Sequence, residues 1–132
     1  DNNIFEGTVK NAAPESDGFE LIELDVAGVG SVLSRGHSVP VGETAACSVR
    51  PDLLTVVSEM EAAPSSQANH ITARIVDVEL TGYVTRVVML AEATGQELLY
   101  KVRTVDWAQS GCSEGQVVTL RWAAHDCVFL PY

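Results

Sequence analysis

Short runs in which apolar and polar residues alternate succeed one another along this chain, and Gly, Pro, Ser and Asp clusters separate them. Val118, Leu120 and Trp122 alternate with Thr119 and Arg121, a period of two that predicts a half-buried β-strand. Ile71, Ala73 and Ile75 alternate with Thr72 and Arg74; Val76, Val78 and Leu80 then alternate with Asp77 and Glu79. The phase slips between Ile75 and Val76, which predicts a β-bulge or bend of the kind that curls the strands of small barrels. Further strands are expected at Phe5–Lys10, Phe19–Val26, Gly30–Ser34, Thr44–Val49, Leu53–Ser58, Thr85–Glu92, Leu98–Arg103 and Val128–Leu130. Residues 14–18 and 94–97 read as hairpin loops, and Asp106–Gly111 as a short helical turn. No segment keeps a helical period for more than a turn or two. The fold class expected is all-β.

Residues 59–69, small, polar and Pro-containing, read as an exposed connection that divides the chain nearly in half. Residues 1–58 then form a first half and 70–132 a second. The halves are weakly alike: Gly42-Glu43 leads into a strand and then Leu53–Val57, whereas Gly115-Gln116 leads into a strand and then Cys127–Leu130. About five strands per half suit a small Greek-key barrel, with strands exchanged between the halves as one arrangement.

Composition adds exclusions. The chain has 132 residues, 46 % of them hydrophobic, so it can bury a core as one compact domain. Eighteen acidic residues against eight basic ones give a net charge of −10. Phosphate backbones demand clustered Lys and Arg, so nucleic acid is not an expected partner, and a polybasic membrane anchor is excluded on the same ground. The longest apolar run, Val87–Ala91, falls far short of the ~20 residues that span a bilayer, so no membrane insertion is expected.

Candidate chemistry is sparse. The phosphate loop GxxxxGK[ST] is absent, as are GxGxxG, HExxH and GxSxG. His37, His70 and His125 are isolated and read as structural; the carboxylates, dispersed between apolar positions, read as the solvated faces of sheets. Cys47, Cys112 and Cys127 are an odd number at wide spacing, read as small buried apolar residues in a reducing cytosol, with one disulfide plus a spare thiol as the alternative. No metal site is expected. Trp107 and Trp122 read as core or interface anchors. The most individual motif is Arg50-Pro51-Asp52: Pro51 ends a strand, holds Arg50 extended, and places Arg50 to pair with a nearby acid, Asp52 or Glu43. It is either a strand-ending turn or an interface position.

Several of these pieces fall in an order that resembles a known family. Asn3, Gly7-Thr8-Val9, Val39–Glu43, Cys47–Asp52 and Leu54, then Asn69, Ile71–Val76, Leu80–Tyr83, Gly115–Trp122 and Cys127–Leu130, are similar to the transport-associated OB (TOBE) domain that follows the nucleotide-binding domain in the ATP-binding subunits of ABC importers for polyamines, ferric iron, sugars and similar solutes. The resemblance implies OB-like barrels and a non-catalytic role in regulating and dimerising the ATPase subunits. Arg50, Pro51 and Asp52 are the carried-over signature. It also implies a parent chain whose ATPase domain holds ATP and Mg, partners in a second ATP-binding subunit and the membrane permease subunits, and a cytoplasmic location peripheral to the membrane. This chain alone is not expected to be an enzyme. The alternative function is a small oxyanion-binding barrel of the molybdate type, against which the net charge of −10 weighs.

Overall fold

The alternating runs are realised as ten strands. The computed structural model describes residues 2–37, 39–57 and 68–131. In chain order these are β1 (Asn3–Pro14), β2 (Glu20–Val26), β3 (Gly30–Gly36), β4 (Thr44–Val49), β5 (Thr55–Val57), β6 (Ala68–Thr81), β7 (Val84–Ala91), β8 (Glu97–Arg103), β9 (Val117–Ala123) and β10 (Val128–Pro131). One helix, α1 (Thr104–Ser110), precedes β9, and two 3-10 turns, Pro51–Leu53 and Ala124–Asp126, precede β5 and β10. Gly111 ends α1 at φ +74°, a left-handed value that glycine adopts without a Cβ penalty. The helix thus begins two residues before the turn expected at Asp106–Gly111.

Strands β1-β2-β3-β10-β4 close an OB-like barrel, and β5-β9-β6-β7-β8 form a second five-stranded sheet.

Each half sends its last strand to the other. β5 follows β4 in the chain but pairs antiparallel with β9; β10 follows β9 but pairs antiparallel with β4. The registers match, with Thr55, Val56 and Val57 opposite Arg121, Leu120 and Thr119, and Val128, Phe129 and Leu130 opposite Ser48, Cys47 and Ala46. The residues 70–132 of the sequence reading therefore contribute β10 to the first barrel. Most of the connection expected at 59–69 lies outside the described residues, and its last two positions are corrected: Ala68 and Asn69 open β6, and Asn69 is buried.

The internal repeat is stronger in space than in sequence. Asn3 and Asn69 stand at the starts of equivalent strands, first in β1 and second in β6, 66 positions apart. Both strands are irregular at matching sites, between Val9 and Asn11 in β1 and between Ile75 and Asp77 in β6, where the phase slip predicted a bulge. At both bulges the backbone is caught by an equivalent loop. Val9 donates to Glu43 O and accepts from Gly42 N–H; Ile75 donates to Gln116 O and accepts from Gly115 N–H. Gly42 and Gly115 are 73 positions apart, and the seven residues of α1 account for the change of offset.

Phe5, Ile22, Leu24, Ile75, Met89, Leu98 and Leu120 fill one continuous core. Each such side chain removed from water contributes roughly 1.5–3 kcal/mol. Trp122 of β9 stacks on Phe5 of β1 at 5.3 Å between centroids and 11° between planes, joining the two sheets with an aromatic pair.

Candidate functional site

Arg50 ends β4 in extended conformation (φ −67°, ψ 143°), and Pro51 starts the following 3-10 turn with φ preset for it. This geometry brings Asp52 under the Arg50 guanidinium. Arg50 Nε donates to Asp52 Oδ1 at 3.0 Å and Nη2 to Oδ2 at 2.7 Å, a two-point pair. Of the two acids weighed from the sequence, Asp52 is the partner. The pair stands in water, with side chains 67 % and 47 % exposed.

The motif borders an open cleft of about 690 Å³. Pro51, Leu54, Val84 and Val102 supply apolar wall, Tyr100 a phenol, and Lys101 and Arg103 of β8 further cations. Arg103 is held as Arg50 is, by Asp106 of α1 at 2.9 and 3.2 Å. Asp106, and then the Tyr83 hydroxyl, raise its pKa above the ordinary arginine value. Three of the chain's eight basic side chains therefore meet at one cleft of a protein whose net charge is −10. Two carboxylates hold two of them in place, so the cleft offers preset guanidinium groups to a carboxylate, a phosphate or an acidic segment. Among the described residues, the side chains lining it include no His, Cys or Ser.

A smaller cleft of about 360 Å³ occupies the equivalent place in the first barrel. Arg35 of β3 and His37 just after it stand where Lys101 and Arg103 stand in β8, and His125 stands where Asp52 does. The Arg35 guanidinium lies 3.7 Å from the centroid of Phe19 and pairs with Asp17 at 2.9 Å, while His37 packs on the same ring at 4.2 Å. Two histidines that look isolated in sequence thus share a cleft. Among the described residues no group of three His, Cys, Asp or Glu side chains is placed to hold a metal ion.

The remaining singled-out residues are dispersed. Trp122 is buried, its indole N–H donating to Cys127 Sγ at 3.2 Å, and Trp107 of α1 is half-buried against the core. All three cysteines are free thiols; Cys47 and Cys127 are buried and Cys112 half-buried. Sequence reasoning missed Lys101, Arg103 and Asp106. Their signal, basic residues at alternate positions closing a strand just before a helix, is ordinary for a solvated sheet face.

The TOBE-domain family model matches residues 47–130, from β4 through β10. The chain belongs to the TOBE-domain family. The match takes in Arg50-Pro51-Asp52, both 3-10 turns, and β5 and β10, so this TOBE fold includes the strand exchange. No curated protein matches the sequence. Among solved structures, the cytoplasmic molybdate-binding protein ModG with molybdate bound superposes with a TM-score of 0.86 at 14 % identity, over 98 % of this chain and 96 % of that one. At that identity the likeness establishes a shared fold. No helix among the described residues is long and apolar enough to cross a membrane.

Proposed function

We propose that this chain is the non-catalytic regulatory and dimerisation module of the ATP-binding subunit of an ABC-type solute importer. TOBE-family membership over residues 47–130 carries the reading, because that span holds the Arg50-Pro51-Asp52 turn and most of the cleft beside it. On this reading ATP and Mg belong to an ATPase domain elsewhere in the parent subunit. The partners are a second ATP-binding subunit and the membrane permease subunits, and the module works at the cytoplasmic face of the membrane. An exposed cleft with preset cations suits contact with an acidic segment of a neighbouring subunit. The test begins with the coding sequence upstream of Asp1: a phosphate loop and an ABC signature there support the reading, and an unrelated sequence overturns it. In the full subunit, Arg50→Ala is then expected to weaken ATP-dependent pairing measured by sedimentation, and unchanged pairing counts against the cleft as the contact.

A second reading is a small oxyanion-binding module. Two observations favour it: the gathering of Arg50, Lys101 and Arg103 at one cleft, and the shared architecture with ModG. Calorimetric titration with molybdate, tungstate and sulfate tests it. Heat that disappears in Arg103→Ala supports an oxyanion site in this cleft; no heat from any of the three removes the reading.

A further inference from the structure

Cys47 lies on β4 and Cys127 immediately before β10. In the β4–β10 ladder Phe129 stands opposite Cys47 and Val128 opposite Ser48, and side chains alternate along an extended strand. Cys127, itself extended at φ −83° and ψ 139°, therefore turns to the same face as Phe129 and meets Cys47 on the diagonal. Both are buried, at 0 % and 5 % exposure. The two thiols are neighbours in this buried layer, and the Trp122 indole N–H donates to Cys127 Sγ at 3.2 Å.

We propose that Cys47 and Cys127 are a reversible oxidation site, at which a peroxide converts the two thiols into an intramolecular disulfide that fastens the exchanged strand β10 to β4. Cys127 attacks. Its sulfur breaks the peroxide O–O bond and becomes a sulfenic acid, releasing one water from hydrogen peroxide. Cys47 then attacks that sulfur; the S–O bond breaks, the S–S bond forms and a second water leaves, so two thiols and one peroxide give one disulfide and two waters.

The surroundings assign the roles. The Trp122 indole N–H, aimed at Cys127 Sγ at 3.2 Å, favours negative charge on that sulfur, and Cys47 has no such donor beside it among the described residues. Cys47, beside Cys127 and deeply buried, is pushed far up. Cys127 is thus the better placed nucleophile of the pair and Cys47 the resolving thiol. Peroxide gains access through β10, a four-residue strand paired along β4 but joined to β3 at one position only, so that its opening uncovers Cys127. Cys112 stands apart after α1, with its sulfur near the Ser110 carbonyl, and serves as an internal control.

The test treats the whole chain with hydrogen peroxide, quenches it and titrates thiols in denaturant. The expected result is a fall from three titratable thiols to one, a mass lower by two hydrogens, a peptide map joining the Cys47 and Cys127 peptides, and full reversal by dithiothreitol. The oxidised chain should also melt several degrees higher, because the link closes a long loop. Cys127→Ala and Cys127→Ser should each abolish the two-hydrogen loss, whereas Cys112→Ser should leave it intact. Should either Cys127 variant fail to fold, the wild-type peptide map decides alone. Retention of three thiols, a link through Cys112, or added oxygen without the crosslink overturns the proposal.

Discussion

The side-chain amide of Asn69 pairs with both the N–H and the carbonyl of Leu33, at 2.7 and 2.8 Å, as a neighbouring strand would. Asn3 does the same to Leu99 in the other sheet, at 2.7 and 2.9 Å. Each asparagine stands near the start of one half of the chain and satisfies backbone of the other, at Leu33, where β3 is met by β10 only farther along at Arg35, and at Leu99 on β8, an edge strand among the described residues. Asn69→Ala should destabilise the protein by about 2–4 kcal/mol, since two backbone groups lose their partners at once. Asn3→Ala should cost a similar amount, and urea unfolding measures both. Asn69→Asp should be worse at neutral pH, where a carboxylate faces the Leu33 carbonyl, and should recover in acid as the side chain regains a donor.

Trp122 joins the sheets by stacking on Phe5 and donates to Cys127. Trp122→Ala should cost about 3–5 kcal/mol in chemical denaturation. Trp122→Phe keeps a ring against Phe5 but removes the N–H; it should lose less stability and yet slow peroxide oxidation of Cys127.

Gly36 has no room for a side chain. A Cβ there would lie 2.6 Å from Ile22 Cδ1 and 2.9 Å from Phe129 Cβ. Gly36→Ala should therefore push β10 away from the barrel, cost about 1–3 kcal/mol, and increase hydrogen exchange in β10 more than in β7.

His70 sits directly opposite Arg121 in the β6–β9 ladder, and its buried Nε2 has no hydrogen-bond partner among the described residues. Burial first, and then the Arg121 charge, lower its pKa from the ordinary 6.5. The unfolded chain consequently binds this proton more readily than the native one, so stability should fall as pH drops below about 7 and flatten once the folded-state pKa is passed. His70→Asn should remove that part of the slope in thermal melts recorded between pH 5 and 8.

The Arg50–Asp52 pair is exposed, and exposed pairs contribute little to folding. Asp52→Ala should shift stability by no more than about 0.5 kcal/mol. Any larger effect on subunit pairing or ligand heat would then belong to the cleft. A melt beside a binding measurement separates the two.

Local pattern was legible and long-range partnership was not. The slip at Ile75 and Val76 identified a real bulge because a change of alternating phase needs only adjacent residues to be seen. Asn69 was assigned to an exposed connection because a polar residue beside Ser, Gln and Ala carries no local sign that it is buried against a distant strand edge. The repeat was visible at Gly42 and Gly115 but blurred earlier, since a seven-residue helix is inserted between β8 and β9 without disturbing either half. The cleft was half legible: Pro51 announces the turn, whereas Lys101 and Arg103 reach it only through the way β8 lies beside that turn.

The reciprocal exchange of β5 and β10 has a consequence for the order in which the chain is made. Strands β1 to β4 leave the ribosome early, but the barrel they belong to lacks its fifth stave until residues 128–131 have been synthesised. Until then the open flank of β4 is a ready template for any passing strand. A nascent chain of this kind should stay vulnerable to chaperone capture or mispairing until β10 has emerged, and neither half should be viable when expressed without the other.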